Sequence, residues 1–484
     1  MRVAQVSSEL APFAKTGGLG DVCGALPRYL ARAGHDVRPF VPLYANLREG
    51  RDRLVPVDYA RDVPVRVGGR TLTFSLATAP VPGTDVPVYF VDCPALYDRP
   101  GVYAADGDEH VRFAFLTHAA LVSCQRMGFS PDVLHAHDWH AALAPLLLRT
   151  QYAWDRDRFG GTRTVLTIHN VGYQGTFPAS VADELGLGGV RPLLHQEDLA
   201  RGRFSFLMHG ILYADALSTV SRTHAREMLS REHGMGMDRW LRARGDAFTG
   251  IVNGIDTDVW SPETDPRLFA RYSARDLAGK AENRRRLLEA LGLAPPAHAP
   301  VFGIVSRMTV QKGFDLGFEV LPRLLARTDA RLVVLGSGDR RYERSFEELE
   351  RRFPAQARFR RGYDEDLAHR IEAGADVFLM PSMFEPCGLN QLYSMRYGTP
   401  PVVRRTGGLA DTVRHFDRRS GEGTGFVFDH YTPEGLEWAL VEVLAAWRDR
   451  AAWARLIRNA MAEDWSWDRQ IRHYEALYRH VRGA

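Results

Sequence analysis

The sequence predicts an α/β protein built from two doubly wound, mainly parallel sheets. Short apolar segments alternate with helix-like segments through both halves of the chain, a pattern typical of buried parallel strands and their crossover helices. A chain of 484 residues is too long for one core, because domains usually hold roughly 100 to 200 residues. The tetrapeptide Thr-Gly-Gly-Leu occurs twice, at 16–19 and 406–409. Each copy lies between an apolar strand and a helix-like segment, which indicates one ligand held between two similar domains.

Six apolar segments predict the parallel strands of the first half. They lie at 3–6, 37–41, 86–91, 133–135, 165–168 and 216–220. Several run directly into turns that contain Gly or Asp, as strands of a parallel sheet do before a crossover helix. The stretch 52–85 contains Val-Gly-Gly-Arg-Thr at 67–71 and predicts a hairpin instead.

Five further segments predict the strands of the second half, at 301–306, 332–335, 359–362, 377–381 and 402–403. Every unusual motif of this half follows one of these strands, and the carboxyl edge of a doubly wound sheet is where ligands bind. Thr432-Pro433 predicts the N-cap and first residue of a helix that ends near 447. After Ser466, large apolar residues recur every three or four positions and predict an amphipathic helix.

The composition excludes several classes of function. With 45% hydrophobic and 25% charged residues the chain is typical of a globular protein, and a net charge of +3 without a basic block argues against a nucleic-acid partner. We expect no membrane association and a cytoplasmic location, because the first residues lack the apolar core of a signal peptide and no apolar run reaches the length of a membrane span. The four cysteines lack paired spacing and predict small buried side chains, not a disulfide framework or a zinc ribbon.

Lysine is rare in this chain. Only Lys15, Lys280 and Lys312 occur among 62 basic residues, so arginine has replaced lysine wherever the geometry is loose. Lys15 lies in the first glycine loop and Lys312 in another turn from strand to helix. At such turns a lysine can approach a phosphate as a compact charge on a flexible side chain, whereas arginine would have to present a planar guanidinium.

Polar side chains follow two strands of the first half. The segment Val-Leu-His-Ala-His-Asp-Trp-His at 133–140 puts His135 and His137 on one face of a strand and Asp138 at its carboxyl end, and His169-Asn170 ends the strand at 165–168. A metal site would need further ligands and their supporting groups. We therefore expect a polar substrate pocket and no metal, since histidines at such sites often act by hydrogen bonding alone.

The junction between the two halves lies near 252–266, where polar residues and prolines replace the apolar pattern. The pair Asp256 and Asp258 resembles a metal-binding Asp-x-Asp motif. Two aspartates at this spacing are more often a turn whose side chains cap the backbone. We therefore interpret the pair as a turn.

The candidate site residues together suit the transfer of a sugar from a nucleotide diphosphate. Lys15, Arg307 and Lys312 supply positive charge for a pyrophosphate leaving group, and the glycine loops supply backbone donors, so no metal is obligatory. Tyr363 follows a predicted strand and is a candidate to stack on a base. The hydrogen-bonding groups that could bind sugar hydroxyls are Asp138, His169, Asn170 and Glu385.

Seven motifs, in this order along the chain, resemble the bacterial glycogen synthases and plant starch synthases. They are KTGGLGD at 15–21, HAHDWH at 135–140, TIHN at 167–170, NGID at 253–256, RMTVQKG at 307–313, FEPCGLNQ at 384–391 and TGGL at 406–409. The resemblance implies the GT-B fold, with two Rossmann-like domains facing across a cleft at 1–250 and 251–460. It also implies a C-terminal helix at 461–484 that crosses back to the first domain.

The same resemblance implies retaining transfer of glucose from ADP-glucose to the non-reducing 4-OH of an α-1,4-glucan, without a cofactor. The first domain would hold the acceptor glucan and the second the nucleotide sugar. The residues that it places at the donor are Lys15, Gly18, Asp138, His169, Asn170, Asn253, Arg307, Lys312, Tyr363, Glu385, Cys387, Gly388, Leu389 and Thr406. It implies catalytic roles for Lys15, His169, Arg307, Lys312 and Glu385, and front-face displacement in which a donor phosphate oxygen accepts the acceptor proton.

One position departs from the wider family of retaining GT-B enzymes. Those enzymes often carry a second glutamate eight residues after the first, where it engages the nucleotide ribose, and this chain has Tyr393 there. The resemblance implies that the glycogen synthase branch commonly lacks this glutamate. Ribose recognition must then be arranged differently.

Four alternatives remain open at this level. A sucrose-forming or lipid-directed transferase would use UDP-glucose on the same fold. A glucan phosphorylase would need a lysine for pyridoxal phosphate, for which only Lys280 is left. A glucan-binding protein with an inactive site would be expected to have lost Lys15, Arg307 or Glu385, and a dinucleotide oxidoreductase would carry G-x-G-x-x-G after the first strand.

Overall fold

The computed structural model describes residues 1–48, 54–103 and 106–483. It separates into two compact units, of which unit 1 comprises Met1–Gly254 with Gln470–Ala484 and unit 2 comprises Ile255–Arg469. The predicted boundaries at 250 and 460 lie four and nine residues before those of this division, at 254 and 469. Residues 52 and 53, at the start of the predicted hairpin, lie outside the described residues.

Unit 1 is built on a ten-stranded sheet and a separate two-stranded ribbon. The strands of the large sheet are β1 (Arg2–Val6), β2 (Asp36–Pro42), β3 (Val55–Pro56), β4 (Val63–Val67), β5 (Arg70–Pro80), β6 (Pro87–Asp92), β7 (Val133–His137), β8 (Arg163–Ile168), β11 (Ala216–Thr219) and β12 (Phe248–Gly250). The ribbon pairs β9 (Thr176–Pro178) with β10 (Arg203–Ser205) in antiparallel fashion.

The large sheet has the order β12-β11-β8-β7-β1-β2-β6-β5-β3, and β4 pairs with β5. All pairings from β12 to β6 are parallel, whereas β3, β4 and β6 each pair with β5 in antiparallel fashion. The predicted hairpin is confirmed, since β4 and β5 pair from Val63 with Phe74 to Val67 with Arg70. The six predicted parallel strands are confirmed as well, whereas β12 was not predicted because its three residues contain only one large apolar side chain.

Among the described residues before unit 2, twelve α-helices flank the sheet of unit 1 or lie in its connections. They are α1 (Gly18–Arg32), α2 (Ala45–Arg48), α3 (Pro94–Tyr97), α4 (Glu109–Arg126), α5 (Asp138–Ala141), α6 (Ala144–Arg149), α7 (Arg156–Phe159), α8 (Val181–Glu184), α9 (Gln196–Ala200), α10 (Phe206–Tyr213), α11 (Arg222–Met228) and α12 (Asp238–Ala243). Helix α4 is buried along most of its length, and its apolar residues join those of β1, β2 and β7 in one core cluster. This core fixes the ends of the strands that carry the candidate site.

Unit 2 is built on a six-stranded, all-parallel sheet of order β15-β14-β13-β16-β17-β18. Its strands are β13 (Val301–Val305), β14 (Arg331–Gly336), β15 (Ala357–Arg361), β16 (Val377–Met380), β17 (Pro401–Arg404) and β18 (Phe426–Phe428). The chain order reverses on either side of β13, which makes this a doubly wound sheet with its switch point at β13 and β16. The five predicted strands of this half are confirmed.

Eight helices belong to unit 2. They are α13 (Ala278–Ala290), α14 (Phe314–Arg327), α15 (Arg340–Arg352), α16 (Glu365–Gly374), α17 (Asn390–Arg396), α18 (Gly407–Thr412), α19 (Pro433–Arg448) and α20 (Arg450–Met461). Helix α19 begins as predicted, because the Thr432 hydroxyl accepts the N–H of Gly435 and Pro433 takes the first helical position. The turn predicted at Asp256 and Asp258 is confirmed, since the Asp256 carboxylate accepts the Asp258 N–H at 3.1 Å.

The last helix, α21 (Trp467–Arg482), returns the chain to unit 1. It begins at Trp467 and not at 461, because α20 extends to Met461 and the Asp464 carboxylate accepts the Ser466 N–H just before α21. Within unit 1, the Tyr478 hydroxyl lies 2.7 Å from Nδ1 of His135 on β7.

All four cysteines are buried and reduced, as expected for small apolar side chains. None of the helices among the described residues has the length and apolar character needed to cross a membrane.

Candidate active site

The predicted site residues lie at the carboxyl ends of neighbouring strands within each unit. In unit 1, Lys15, Asp138 and His169 follow β1, β7 and β8, which are consecutive in the sheet. In unit 2, Arg307, Glu385 and Thr406 follow β13, β16 and β17, which are also consecutive, and Tyr363 follows β15. Each sheet therefore gathers its motifs at one edge, where open α/β sheets bind ligands.

The first glycine loop is held by ionic contacts within unit 1. Lys15 lies in the exposed loop before α1, and its Nζ is 2.7 Å from Oδ1 of Asp21. Asp21 stands in the first turn of α1, where a carboxylate also favours the helix dipole. Gly18, the first residue of α1, is exposed at the helix start.

The buried carboxylate of Glu9 takes the backbone donors that we had expected to face a phosphate. Its Oε2 accepts the N–H groups of Thr16 at 2.7 Å and Gly17 at 3.2 Å. Its Oε1 accepts the hydroxyls of Thr16 at 2.6 Å and Tyr103 at 2.5 Å. Two of the backbone donors that the glycine loop was expected to offer an anion therefore already bind a carboxylate of the protein.

Asp138 has an unusual backbone and a buried carboxylate. It adopts a φ of +54°, and its Oδ1 accepts the N–H of His169 at 2.6 Å and lies 3.4 Å from the N–H of Asn170. Burial raises the pKa of Asp138 to about 7, against the opposing effect of these two N–H donors. The carboxylate thus joins the end of β7 to the end of β8, and these contacts help to hold the strained φ.

Buried histidines on β7 and at the end of β8 make hydrogen bonds beside the candidate site. Nδ1 of His137 lies 3.0 Å from Nε2 of His169, and Nε2 of His135 lies 2.7 Å from the Thr167 hydroxyl. Burial lowers the pKa of His135 and of His169 to about 3, and burial also lowers the pKa of His137. These rings are therefore neutral near pH 7, and they act through hydrogen bonds and not through charge.

Two asparagines of unit 1 also reach this edge. The side-chain oxygen of Asn170 accepts the Gly172 N–H at 2.9 Å, which fixes the turn after β8. Asn253 is buried, and its side-chain oxygen lacks a hydrogen-bond partner among the described residues. A buried unsatisfied amide costs free energy, so Asn253 is a good candidate to bind a ligand.

Cys23, His137 and His169 bring three potential metal ligands together, with ligand atoms within 4.8 Å of one another. A metal would require the Cys23 thiolate, and burial raises the pKa of this thiol well above its ordinary value. His137 and His169 also already share a hydrogen bond. The chemistry of these three side chains therefore fits a neutral hydrogen-bonded cluster better than a metal centre.

Lys312 and Glu385 form the central ion pair of unit 2. Nζ of Lys312 lies 2.6 Å from Oε2 of Glu385, and the Ser382 hydroxyl donates to the same oxygen at 2.9 Å. Glu385 is buried, whereas Lys312 is partly accessible and Arg307 is exposed. The loop after β16 therefore folds Glu385 inward, against Lys312 and Ser382.

The segment 384–389 packs directly against the second glycine loop. The N–H of Gly408 donates to the carbonyl oxygens of Glu385 and Pro386, both at 3.1 Å. A Cβ at Gly407 would lie 1.9 Å from the Glu385 oxygen, and a Cβ at Gly408 would lie 2.1 Å from the Cys387 oxygen. Both glycines are therefore needed for this contact, and Thr406 is buried beside it.

The buried side chain of Gln391 supports the backbone of the same loop. Its Nε2 donates to the carbonyl oxygens of Cys387 at 3.1 Å and Gly388 at 2.9 Å. Gly388 has a φ of +75°, a conformation that favours glycine. Leu389 ends the loop before α17.

Two tyrosines of unit 2 differ sharply in exposure. Tyr363, at the end of β15, is 74% exposed, so its ring is available for stacking on a flat ligand. Tyr393 is buried and stacks on Trp260 with ring centroids 3.9 Å apart and planes within 10° of each other. The position that carries a second glutamate in related enzymes is thus part of the core of unit 2.

Lys280 is the third lysine, and it is buried on α13. Its Nζ donates to the carbonyl oxygens of three residues and to the Thr399 hydroxyl, at distances from 2.7 to 3.1 Å. Burial lowers the pKa of Lys280 to about 7. An ammonium surrounded by protein acceptors is unsuited to hold pyridoxal phosphate, which argues against the phosphorylase alternative.

Sequence reasoning missed three groups that position the site, namely Glu9, Ser382 and Gln391. Each makes hydrogen bonds to a loop of irregular conformation. Such contacts do not produce a periodic pattern in the sequence, so they could not be predicted from it. A glutamate within the predicted turn between β1 and α1 was the available signal for Glu9, since a charged side chain beside an apolar strand needs a partner.

Comparison with known proteins agrees with this arrangement. Residues 2–243 match the family described as Starch synthase catalytic domain, and residues 292–460 match the family Glycosyl transferases group 1. Two parallel-sheet units with motifs at their strand ends, together with these matches, define a glycosyltransferase of the GT-B fold. The chain belongs to the family of bacterial glycogen synthases and plant starch synthases.

The similarity to known members extends along the whole chain. A protein of Anaeromyxobacter dehalogenans strain 2CP-1, named glycogen synthase, is 47% identical over 485 residues and 99% of both chains. The solved catalytic domain of starch synthase IV from Arabidopsis thaliana, bound to ADP and acarbose, has a TM-score of 0.92 at 34% identity and covers 100% of this chain and 99% of its own.

A more distant structure shares only the fold. The sucrose-phosphate synthase of Thermosynechococcus elongatus has a TM-score of 0.63 at 18% identity, and the match covers 99% of this chain and 98% of that one. The family resemblance expected from the sequence motifs is confirmed.

Proposed function

We propose that this chain transfers glucose from ADP-glucose to the non-reducing 4-OH of an α-1,4-glucan with retention of configuration, and so elongates glycogen. The observation that carries the proposal is the Lys312–Glu385 pair at the carboxyl ends of β13 and β16. It combines a cation for a leaving diphosphate with a shielded carboxylate. Full-length similarity to proteins named glycogen synthase, and the ADP bound by the Arabidopsis relative, support the choice of reaction and nucleotide.

In this proposal unit 2 binds the nucleotide sugar. Arg307 and Lys312 hold the diphosphate, where fixed positive charge stabilises the negative charge that develops on the leaving group. Tyr363 stacks on the adenine, which its exposed ring allows. Thr406 and the backbone of Cys387, Gly388 and Leu389 complete the donor contacts.

Unit 1 binds the acceptor glucan and contributes to the glucose subsite. Asp138, Asn170 and Asn253 bind glucose hydroxyls, and Lys15 and Gly18 lie near the donor phosphates. His169, which is neutral at pH 7, contributes hydrogen bonding near the anomeric carbon and not a positive charge. A neutral ring suits a centre that becomes oxocarbenium-like.

Retention is explained by displacement on the front face of the donor. The acceptor 4-OH attacks the face from which the diphosphate leaves, and a donor phosphate oxygen accepts its proton. Glu385 faces Lys312 at 2.6 Å, so its negative charge is partly balanced before the donor binds. No metal or cofactor takes part in this scheme.

The test is glucan extension by the purified chain with ADP-glucose or UDP-glucose and glycogen as acceptor. We expect extension with ADP-glucose at a kcat/KM at least ten times that with UDP-glucose, and new linkages that are all α-1,4 by proton NMR. Extension with neither donor contradicts the proposed function. Selective extension with UDP-glucose contradicts the donor assignment but not the transfer of glucose to a glucan.

A further inference from the structure

The carboxylate of Glu9 joins two loops at the edge of unit 1. It accepts four hydrogen bonds, two from N–H groups and two from hydroxyls, at 2.5 to 3.2 Å. Glu9 is only 2% exposed. An ionised carboxylate has about four acceptor positions, so Glu9 has no capacity left for a substrate hydroxyl.

Side-chain hydrogen bonds to the carbonyl oxygens of Ser8 and Glu9 also fix the backbone around Glu9. The Ser7 hydroxyl donates to the Glu9 carbonyl at 2.7 Å, and the Tyr44 hydroxyl donates to the Ser8 carbonyl at 2.8 Å. A Cβ at Gly20 would approach Oε2 of Glu9 to 3.1 Å. The carboxylate therefore occupies a closely fitted place beside the start of α1.

The segment 99–103, which ends at Tyr103, is also anchored. Both terminal nitrogens of Arg99 donate to the Asp108 carboxylate, at 2.7 and 2.6 Å, and Arg112 donates to the Val102 carbonyl at 3.1 Å. Burial and the neighbouring Glu9 raise the pKa of Tyr103 well above its ordinary value. The phenol thus stays protonated and donates its hydrogen to Glu9.

We propose that Glu9 is a positioning residue for the transferase reaction, which holds the Lys15 loop so that the Lys15 ammonium is presented to the donor. The inference rests on the proposed function, because it takes the role of Lys15 from there. Glu9 binds the N–H groups of Thr16 and Gly17 in place of a phosphate. In this segment the donor is then bound by the Lys15 side chain and not by the N–H groups of Thr16 and Gly17. Glu9 fixes the backbone that positions Lys15.

The charges in this region support a positioning role. Lys15 is already paired with Asp21 at 2.7 Å, and Glu9 adds a second carboxylate to the same loop. A loop with two carboxylates and one ammonium is a poor anion site by charge alone. Its value lies in geometry, since a misplacement of about 1 Å at a reacting group costs about 10²-fold in rate.

The test is a double-mutant cycle with Glu9→Gln and Lys15→Ala. Glutamine keeps the size of the side chain, but it removes the negative charge and replaces one acceptor oxygen with an NH2 group, so it cannot accept all four hydrogen bonds. We expect Glu9→Gln to lower kcat/KM for ADP-glucose at least tenfold in the parent chain and less than threefold in the Lys15→Ala chain. An equal loss in both backgrounds would mean that Glu9 acts independently of Lys15, and it would overturn the proposal.

A matched control is Asp215→Asn. The Asp215 carboxylate also accepts a backbone N–H and a hydroxyl, both from Thr164, at 2.7 and 2.8 Å, but it lies at the amino end of β8. This variant should lose stability without a change in the KM for ADP-glucose. An equal rise in KM in both variants would show a general effect of destabilising unit 1 and would contradict the proposal.

A second measurement does not depend on activity. Hydrogen exchange at the amides of Thr16 and Gly17 should be at least ten times faster in Glu9→Gln than in the parent chain, and unchanged in Asp215→Asn. If the parent chain extends no glucan, the proposed function fails, while the exchange result still decides whether Glu9 holds the loop. Equal exchange in the parent and Glu9→Gln chains would overturn the inference even if the enzyme is active.

If Glu9→Gln fails to fold, Thr16→Val takes its place in the cycle. Valine keeps the shape of threonine and removes only the hydroxyl that donates to Glu9. We expect a loss of about threefold in kcat/KM in the parent chain and none in the Lys15→Ala chain. The same loss in both chains would overturn the proposal.

Discussion

The three lysines occupy two kinds of place. Lys15 and Lys312 pair with Asp21 and Glu385 at 2.7 and 2.6 Å, whereas Lys280 donates to three carbonyl oxygens and one hydroxyl. A guanidinium is larger and planar, so it would not fit the closely spaced acceptors around Lys280. Two of the three lysines thus lie in ion pairs at the candidate site, and the third has a structural role.

The ion pair between Lys312 and Glu385 gives the first prediction. Glu385→Gln keeps the shape of the side chain and removes the charge that faces Lys312 and accepts from Ser382. We expect kcat to fall by about 10²-fold or more, the usual size of the loss when one preorganised electrostatic contact is removed. Steady-state assays with ADP-glucose and glycogen measure the effect.

The control for this variant is Glu437→Gln in the same unit. Glu437 pairs with Arg323 at 3.3 Å on the exposed side of α19, and surface pairs contribute only about 0–1 kcal/mol. Its activity should equal that of the parent chain. Full activity in Glu385→Gln would show that the candidate site is wrongly placed.

At the scale of elements, two loops that are distant in sequence form one unit of structure. The segment 384–389 after β16 and the second glycine loop after β17 share hydrogen bonds and leave no space for a Cβ at Gly407 or Gly408. The two loops therefore set the position of Glu385 together.

Gly408→Ala tests this coupling. The new methyl group would lie 2.1 Å from the Cys387 oxygen, so the loop that carries Glu385 must shift, and we expect the melting temperature and kcat both to fall. The loss of stability should be about 1–3 kcal/mol, as for overpacking in a tight contact.

Gly317→Ala is the control for this change. It lies near the start of α14, where the nearest atom to the new methyl group is 3.4 Å away, in the side chain of Leu321. This change should stabilise the helix by about 0.5–1 kcal/mol with no loss of activity. An active and equally stable Gly408→Ala chain would contradict the coupling of the two loops.

The elements that the sequence predicted well are those with strong apolar signals. Strands β1, β7, β13 and β14 are almost wholly buried, so their apolar runs are continuous and easily recognised. The edge strands β3 and β12 and the ribbon of β9 and β10 have two or three residues each. Such short pairs are stabilised by tertiary contacts, which local composition does not record.

The residues of the candidate site were likewise only partly predictable from the sequence. Motifs such as His169-Asn170 and Lys312 with Gly313 could be recognised because each follows an apolar strand. The contacts of Glu9 with Thr16 and Tyr103 could not, since a carboxylate that binds a loop 94 residues away leaves no trace in the spacing of residues.

The histidines of β7 and β8 give a prediction about pH. Burial lowers the pKa of His135 and His169 to about 3, and that of His118 and His209 to about 4. Between these values and the unfolded value of about 6.5, the unfolded chain binds more protons than the folded one. The free energy of unfolding should therefore rise with pH from about 4 to 6.5 and then level off.

Each histidine contributes up to about 1.4 kcal/mol per pH unit in that range. Asp138 acts in the opposite direction, because its pKa is raised to about 7 and its contribution to stability falls as pH rises from about 4 to 7. Urea unfolding at several pH values, compared between the parent chain and His118→Gln, measures one contribution. An identical slope in the two chains would contradict the prediction.

At the scale of the whole molecule, the chain begins and ends in unit 1. Unit 2 occupies Ile255–Arg469, and α21 then brings Gln470–Ala484 back to the first sheet. The buried aromatic residues Tyr474 and Tyr478 of α21 pack near His135, with ring centroids 5.9 and 5.7 Å from its imidazole. The last helix is thus part of the core of unit 1, although it follows unit 2 in sequence.

One polar contact between this helix and the sheet of unit 1 joins Tyr478 to His135. Burial raises the pKa of Tyr478 well above its ordinary value, so the phenol keeps its hydrogen and can donate it to Nδ1 of His135 at 2.7 Å. In that tautomer, Nε2 of His135 donates to the Thr167 hydroxyl at 2.7 Å. These two hydrogen bonds thus connect α21 to β7 and β8.

Tyr478→Phe should therefore destabilise unit 1 and loosen α21. Loss of the hydroxyl leaves a buried nitrogen of His135 without its partner, at a cost of about 1–3 kcal/mol. Tyr152→Phe is the matched control, because the Tyr152 hydroxyl bonds Nδ1 of His118 at 2.9 Å in the same unit but away from α21. We expect both variants to unfold at lower urea concentrations, and only Tyr478→Phe to speed amide hydrogen exchange in residues 470–482. Unchanged exchange there would contradict the role of the Tyr478 hydroxyl in holding the helix.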